Sequence, residues 1–416
     1  MGLAAAYHAL KAGHEVIVFE ADSIPGGMAA HLDFDGLSIE RFYHFICKAD
    51  QPTFDLMTEL GIDNKLRWRD TLMGYFMGGK MHRWGDPVAL LTFPHLDLIS
   101  KFRYGLQMFL ATKRSDWSSL ETRTAKEWFE SGGGKRTYDI LWRRLFDLKF
   151  FEYADKVGAA WIWTRIKRIG TSRRSLMQEQ LGYIEGGSET LVQALVNAIE
   201  DLGGEIRCST AVQEIAVENG AVKAVRTAEG DELVDAVIST IPTPYVSKTI
   251  PGLPEDWKAK YDAIDNVGVV CVLLKLKRQI SKNFWVNIVH DGIEIPGIVE
   301  FSNLRPVKEH IVYVPFYMPS THEKFSRDDA AFVDESMACL KILQPELEDE
   351  DLITSRVGRL KHAQPVCDAG FLSKLPPIQT PINGLQIADT CFYYPEDRGI
   401  SESVRFGKMM AEAVGR

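Results

Sequence analysis

The sequence predicts an α/β fold, and three stretches carry that prediction. Residues 2–20 read as a helix, a turn and a strand; residues 183–242 give a helix followed by several strands; residues 385–414 give a strand, an acid and a closing helix. In each, apolar and small residues at helical spacing sit beside a short apolar run of the kind a doubly covered parallel strand requires.

The first stretch organises the rest. GLAAAYHALKA, residues 2–12, has the small residues of a helix packed closely on a sheet, and Gly13 and His14 close it. Val16, Ile17, Val18 and Phe19 then form an apolar strand ending in Glu20. In a Rossmann-like unit an acid about 20 positions beyond a G-x-G-x-x-G turn hydrogen-bonds the ribose of an adenine dinucleotide, and Glu20 stands in that place. Of the turn only the third glycine is present, as Gly2. The expectation is therefore a Rossmann-like domain with its first strand missing, Met1 being an internal methionine or the mark of a truncation. A sheet lacking that strand should hold its dinucleotide weakly. Past Glu20, ADSIPGGMAA brings Gly26 and Gly27 into a turn where backbone can approach a pyrophosphate without side chains intruding.

Composition narrows the class. The 416 residues are 45% apolar and 25% charged, which suits two intertwined domains with a sizeable core. A net charge of -9 argues against a nucleic-acid partner. The six cysteines are scattered without a C-x-x-C pair, predicting a reducing, cytoplasmic setting and no metal site. No apolar run is long enough to span a bilayer, and no signal peptide is evident.

Along the chain, HLDFDGLSIE predicts a hairpin turning at Asp35 and Gly36, and QPTFDLMTELG a helix stopped by Gly61. Two segments between residues 66 and 180 combine apolar faces with cations. In FPHLDLISKFRYGLQMFLATKR these are Leu96, Leu98, Ile99, Phe102, Leu106, Phe109 and Leu110; in AAWIWTRIKRIGTSRRS they are Trp161 and Trp163 beside five cations. Either is a core helix with a solvated basic edge, the preferred reading, or an interfacial membrane helix. The arginines also suit an anionic group such as a diphosphate.

Gly186 and Gly187 open the second stretch, whose helix runs through Leu191, Leu195 and Ile199; strands follow, then residues 236–240 and Pro242. VGVVCVLLKLK, GIVEFSN and HIVYVPFY predict a mixed sheet covered by a helix near DDAAFVDESMACLKIL, with Asn303, Tyr313 and Tyr317 as pocket candidates. The third stretch is NGLQIADTCFYYPEDRGISESVRF: strand 385–388, Asp389, a loop, and a helix opening at Ser401 as N-cap.

Together these segments resemble the FAD-dependent amine oxidase superfamily, including protoporphyrinogen oxidases and phytoene desaturases, with a likeness to UDP-galactopyranose mutases. The resemblance covers nearly the whole chain and is specific at the three stretches. It implies noncovalent FAD on a discontinuous domain of residues 1–65, 181–245 and 377–416, with an α+β substrate domain of residues 66–180 and 246–376. It assigns Gly2, Glu20, Gly26 and Gly27 to the nucleotide, the backbone of Val212 to adenine, Asp389 to a ribityl hydroxyl, and the N–H groups of Gly399 and Ile400 to the flavin pyrimidine. The chain departs from the family's closing motif, since no glycine separates Ala388 from Asp389. The segment ERFYHF would pass along the flavin, making His44 a catalytic candidate together with Arg398; Tyr393 and Tyr394 are further pocket candidates. The implied reaction is hydride transfer to flavin N5 from an amine, a porphyrinogen-like or a polyprenoid-like substrate, small, lipid-soluble or lipid-linked, with peripheral membrane contact left open. The alternative is a nucleotide-sugar mutase, toward which the Tyr393 and Tyr394 pair points.

Overall fold

A computed structural model describes residues 1–414. Its largest unit is a seven-stranded sheet, in spatial order Leu352–Pro365, Asn266–Leu276, His310–Met318, Gly297–Glu300, Trp285–Val289, Met73–Met77 and Lys80–Trp84. Only Trp285–Val289 and Met73–Met77 pair in parallel. The strand Asn266–Leu276 lacks polar alternation because both its faces are covered. Val270, Val272, Leu274 and Leu276 pack with Phe332 and Leu340 of the helix Asp329–Leu343. Val269, Cys271 and Leu273 point the other way, toward Tyr313, Tyr317 and the residues around the hairpin His31–Asp33 and Ser38–Glu40. This is the two-residue period of a strand read on two apolar faces, each large side chain contributing about 1.5–3 kcal/mol. The strand Leu352–Pro365, which the sequence pattern does not announce, lies at the sheet edge with Arg356, Arg359 and Lys361 only partly covered or exposed. Such cations blunt an edge against further pairing.

The Rossmann-like part holds two short parallel pairs. Ile17–Phe19 pairs with Glu205–Arg207, and Val237–Ser239 with Leu385–Ile387. No strand among the described residues joins the two pairs. The helix Gly2–Lys11 packs against both Ser188–Asp201 and the closing helix Ile400–Glu412. That approach depends on small residues: a Cβ on Gly407 would lie 2.7 Å from the Met1 carbonyl oxygen and 2.9 Å from Ala4 Cβ.

The hairpin turns where its sequence requires. Asp35 and Gly36 both have positive φ, 55° and 78°, matching the twist of the flanking strands. Two expectations fail. Ser401 does not cap the closing helix: Gly399, extended at φ -168°, is its N-cap, and Ser401 is buried within the first turn. The helix Leu98–Lys113 does not present its apolar stripe to the core. Ser100, Lys101, Tyr104, Gln107 and Ala111 face inward, whereas Leu98, Ile99 and Phe102 are 75%, 74% and 72% exposed. The inversion is held by polar groups. Lys101 Nζ donates to the Leu91 carbonyl, and the Gln107 amide donates to the Trp128 carbonyl at 2.7 Å and accepts from Gly133 N–H at 2.9 Å. The second cation-rich segment does pack as a core helix, with Ala159 to Thr164 buried in Ala159–Thr171.

Candidate active site

One cavity of about 2010 Å³ runs through the molecule. Its walls include Gly2, Glu20, Gly26, Gly27, Val212, Asp389, Gly399 and Ile400, together with His44 and Arg398. Residues separated by almost the whole chain thus share one space.

Two helix starts border it without a side-chain cap, Gly2–Lys11 and Ile400–Glu412. Their first N–H groups and positive dipole ends suit an electron-rich partner. The helix Ser188–Asp201 differs. Its Glu189 N–H donates to His31 Nε2 at 2.9 Å and its Ser188 N–H to Glu40 Oε1 at 3.1 Å, so the protein supplies those acceptors itself. Burial lowers the His31 pKa to about 3, keeping Nε2 available as an acceptor.

The intervening turn is close-packed at Gly26 and open at Gly27. Gly26 has φ 114°, and a Cβ there would press on Val192 and Ala30 at 3.2 and 3.3 Å; Gly27 has φ 57° with nothing near its Cβ position. Glu20 Oε1 accepts from Asp22 N–H at 2.9 Å, and its second oxygen accepts no hydrogen bond among the described residues. Asp389 takes Thr243 N–H at 2.7 Å on one oxygen and Cys391 N–H at 2.9 Å on the other, fastening the closing segment to the loop after Val237–Ser239. Each oxygen keeps one further lone pair.

Around the closing loop the charges are tied down. Arg165 pairs with Asp397 at 2.5 Å, Arg168 grips Asp50 through two bonds of 3.0 and 2.7 Å, and Arg398 donates to the Ala363 carbonyl at 2.7 Å and Gln364 Oε1 at 2.6 Å. Four buried atoms on residues lining the cavity have no partner among the described residues: His44 Nδ1, Trp142 Nε1, Trp161 Nε1 and Asp397 Oδ1. Burial brings the His44 pKa down to about 4, so its ring is neutral. Unpaired buried polar atoms mark a place where a polar ligand fits.

Of the other pocket candidates, Tyr317 and Tyr393 line the cavity. Tyr313, Tyr394 and Asn303 do not. Tyr313 donates to the Glu40 carbonyl at 2.6 Å, Tyr394 to Glu121, and the Asn303 amide to the Ser281 and Asn283 carbonyls. The sequence reading passed over Lys149 and Glu179, both in the wall. Glu179, its pKa raised to about 7 by burial, accepts from Thr71 at 2.9 Å. Neither sits in a motif, and only tertiary placement reveals them.

The cavity reaches the surface at the inverted helix. Leu91, Phe102, Leu106 and Phe109 line it while 61%, 72%, 46% and 54% exposed. No helix among the described residues is long and apolar enough to cross a membrane, and none of their His, Cys, Asp and Glu residues form a group able to hold a metal.

These features define a flavin-dependent oxidoreductase fold. The family model "Flavin containing amine oxidoreductase" matches residues 2–389, and the chain belongs to that family. It is 24% identical over 457 aligned positions to the 15-cis-phytoene desaturase of Solanum lycopersicum, covering 99% of this chain and 76% of that one. A protein of Exiguobacterium sp. 255-15 named after protoporphyrinogen oxidase superposes with TM-score 0.74 at 19% identity, covering 99% of this chain and 95% of that one. Reduced UDP-galactopyranose mutase superposes with TM-score 0.73 at 17% identity, covering 99% and 90%. The cofactor is FAD, and the uncapped helix starts, the left-handed Gly26 and Gly27 turn with its space at Gly27, and the free lone pairs of Glu20 and Asp389 fit it.

Proposed function

We propose that this flavoprotein dehydrogenates a lipid-soluble, polyprenoid-like hydrocarbon that it takes from a membrane surface. One observation carries the reading: the cavity opens through a helix whose apolar face is turned outward, and whose Phe102, Leu106 and Phe109 are at once wall and surface. An apolar helix face rimmed by cations, here Lys113 and Arg114, is the form of an interfacial membrane element. The similarity to a phytoene desaturase along 99% of the chain supports the same substrate class.

Bound FAD supplies the two-electron oxidant that accepts a hydride. The protein's share is to orient and to keep water out. Gly2, Gly26 and Gly27 would face the pyrophosphate, Glu20 the adenosine ribose, Val212 the adenine, Asp389 the ribityl chain, and Gly399 and Ile400 the flavin pyrimidine. Val212 suits its part because it makes no backbone hydrogen bond among the described residues. Arg398 is fixed by Ala363 and Gln364 in the cavity wall, and neutral His44 offers Nδ1 to flavin or substrate. Arginine engagement weighs against a nucleotide-sugar substrate. Arg165, Arg168 and Arg174 face Asp397, Asp50 and Asp70, and Arg173 donates to the Gly85, Ser175 and Leu176 carbonyls, so these four guanidinium groups are engaged by the protein's own acceptors.

The test is anaerobic. Phytoene delivered in vesicles should bleach the visible flavin absorbance of the purified protein, while putrescine and UDP-galactopyranose leave it unchanged. Bleaching by the amine and not by the polyene would sink this reading.

A further inference from the structure

Removing two hydrogens from adjacent carbons as a hydride and a proton requires a proton acceptor within the cavity. Apart from neutral His44, whose low pKa makes it a weak proton acceptor, and Glu396, most of its titratable side chains are committed. Asp397 is matched to Arg165, Asp389 holds two backbone N–H groups, Glu179 holds Thr71, and Lys101 holds the Leu91 carbonyl.

Lys149 is different. It lies in the last turn of the helix Arg144–Phe150, and its Nζ makes no hydrogen bond or ion pair among the described residues. Three rings surround it, with centroids 4.9 Å away for Tyr317, 5.1 Å for Trp161 and 5.4 Å for Phe150. All three rings and Lys149 itself line the cavity. The groups that face the amine are Arg165 and Arg398, which oppose its charge, and Asp397 and Cys367, which favour it. Desolvation leads, the arginines add to it, and the pKa falls well below the usual lysine value. An amine so placed has a free lone pair and no internal acceptor to hold its proton.

We propose that Lys149 accepts the substrate proton. This rests on the hydrocarbon reading above. The carbon next to the one losing hydride releases its proton to Lys149 Nζ as the C=C bond forms, and the two electrons leave with the hydride to the flavin oxidant. The ammonium that results lies over three aromatic faces, an arrangement that stabilises a cation. It returns the proton to water when product leaves.

Two measurements decide it. Trace acetylation of the FAD-loaded protein over roughly pH 6 to 12, read lysine by lysine by mass spectrometry, should give Lys149 a midpoint below that of the exposed lysines in the same sample. A midpoint in the ordinary range overturns the proposal. Flavin bleaching by phytoene should slow by about 100-fold or more in Lys149→Met, with FAD content and melting temperature retained, and Lys149→Arg should not restore it. Glu396 also lines the cavity, among Glu402, Arg168, Asp397 and Asp50. Loss of bleaching in Glu396→Gln with Lys149→Met unaffected overturns the assignment. Unaltered protein that no polyene bleaches overturns the substrate reading, whereas an ordinary acetylation midpoint overturns the role of the amine, so the two failures are separate.

Discussion

At the scale of single residues, His31 shows how burial becomes a pH dependence. Its pKa falls to about 3 from an ordinary 6.5 because it is desolvated beside Arg305 and His44. The unfolded chain therefore binds this proton at higher pH than the folded one. Its stabilising contribution is complete above about pH 6.5 and is lost as the pH falls toward the folded value. Urea unfolding at pH 7 and at pH 5 should show a stability loss on acidification, and His31→Gln should show a smaller one; equal losses would refute the linkage. Legibility at this scale was uneven. Glu20 stands at the spacing from the helix-opening glycine that a dinucleotide-binding unit gives its ribose acid, and Gly26 and Gly27 follow it as a glycine pair, so sequence alone brought them forward as candidates. Lys149, within FDLKFFEY, carries no such mark, since its significance lies in rings contributed by Trp161 and Tyr317 from elsewhere in the chain.

The helix Leu98–Lys113 makes the corresponding point for elements. Periodicity establishes that a helix has two unlike faces; it does not say which of them the rest of the molecule covers. Here Gln107, bonded to Trp128 and Gly133, and Lys101, bonded to Leu91, turn the polar face inward. The apolar stripe is left outside. Replacing Phe102 and Leu106 together by Glu should abolish cosedimentation with anionic vesicles while leaving the melting temperature within about 2 °C of the parent, because both side chains are exposed, 72% and 46%. A fall in thermal stability with vesicle binding intact would show that the stripe packs within the protein. The closing helix teaches a smaller lesson. Ser401 is a good capping residue by type, but the backbone enters the helix at Ile400 and encloses it, and the cap falls to Gly399. Without a side-chain oxygen of its own, that helix start remains available to the cavity.

On the scale of the whole molecule, the site exists because the two ends of the chain meet. The helix Gly2–Lys11 and the closing helix Ile400–Glu412 touch at Gly407, where a Cβ would be 2.7 Å from the Met1 carbonyl. Gly407→Val should destabilise the protein by about 1–3 kcal/mol in urea unfolding and lower FAD retention on gel filtration, since both helix starts that border the cavity would be displaced. Retained FAD with unchanged unfolding would show the contact to be slack. The fold class was readable because strands covered on both faces write themselves as apolar runs, as in Asn266–Leu276. The assembly of the cavity was not, since it depends on side chains from segments far apart in sequence. The outward stripe of Leu98–Lys113 carries one last consequence. If substrate enters through that face from a membrane, as proposed, the enzyme sees it as a mole fraction in a two-dimensional phase, and diluting the lipid with inert lipid at constant total substrate should slow turnover as removing substrate would.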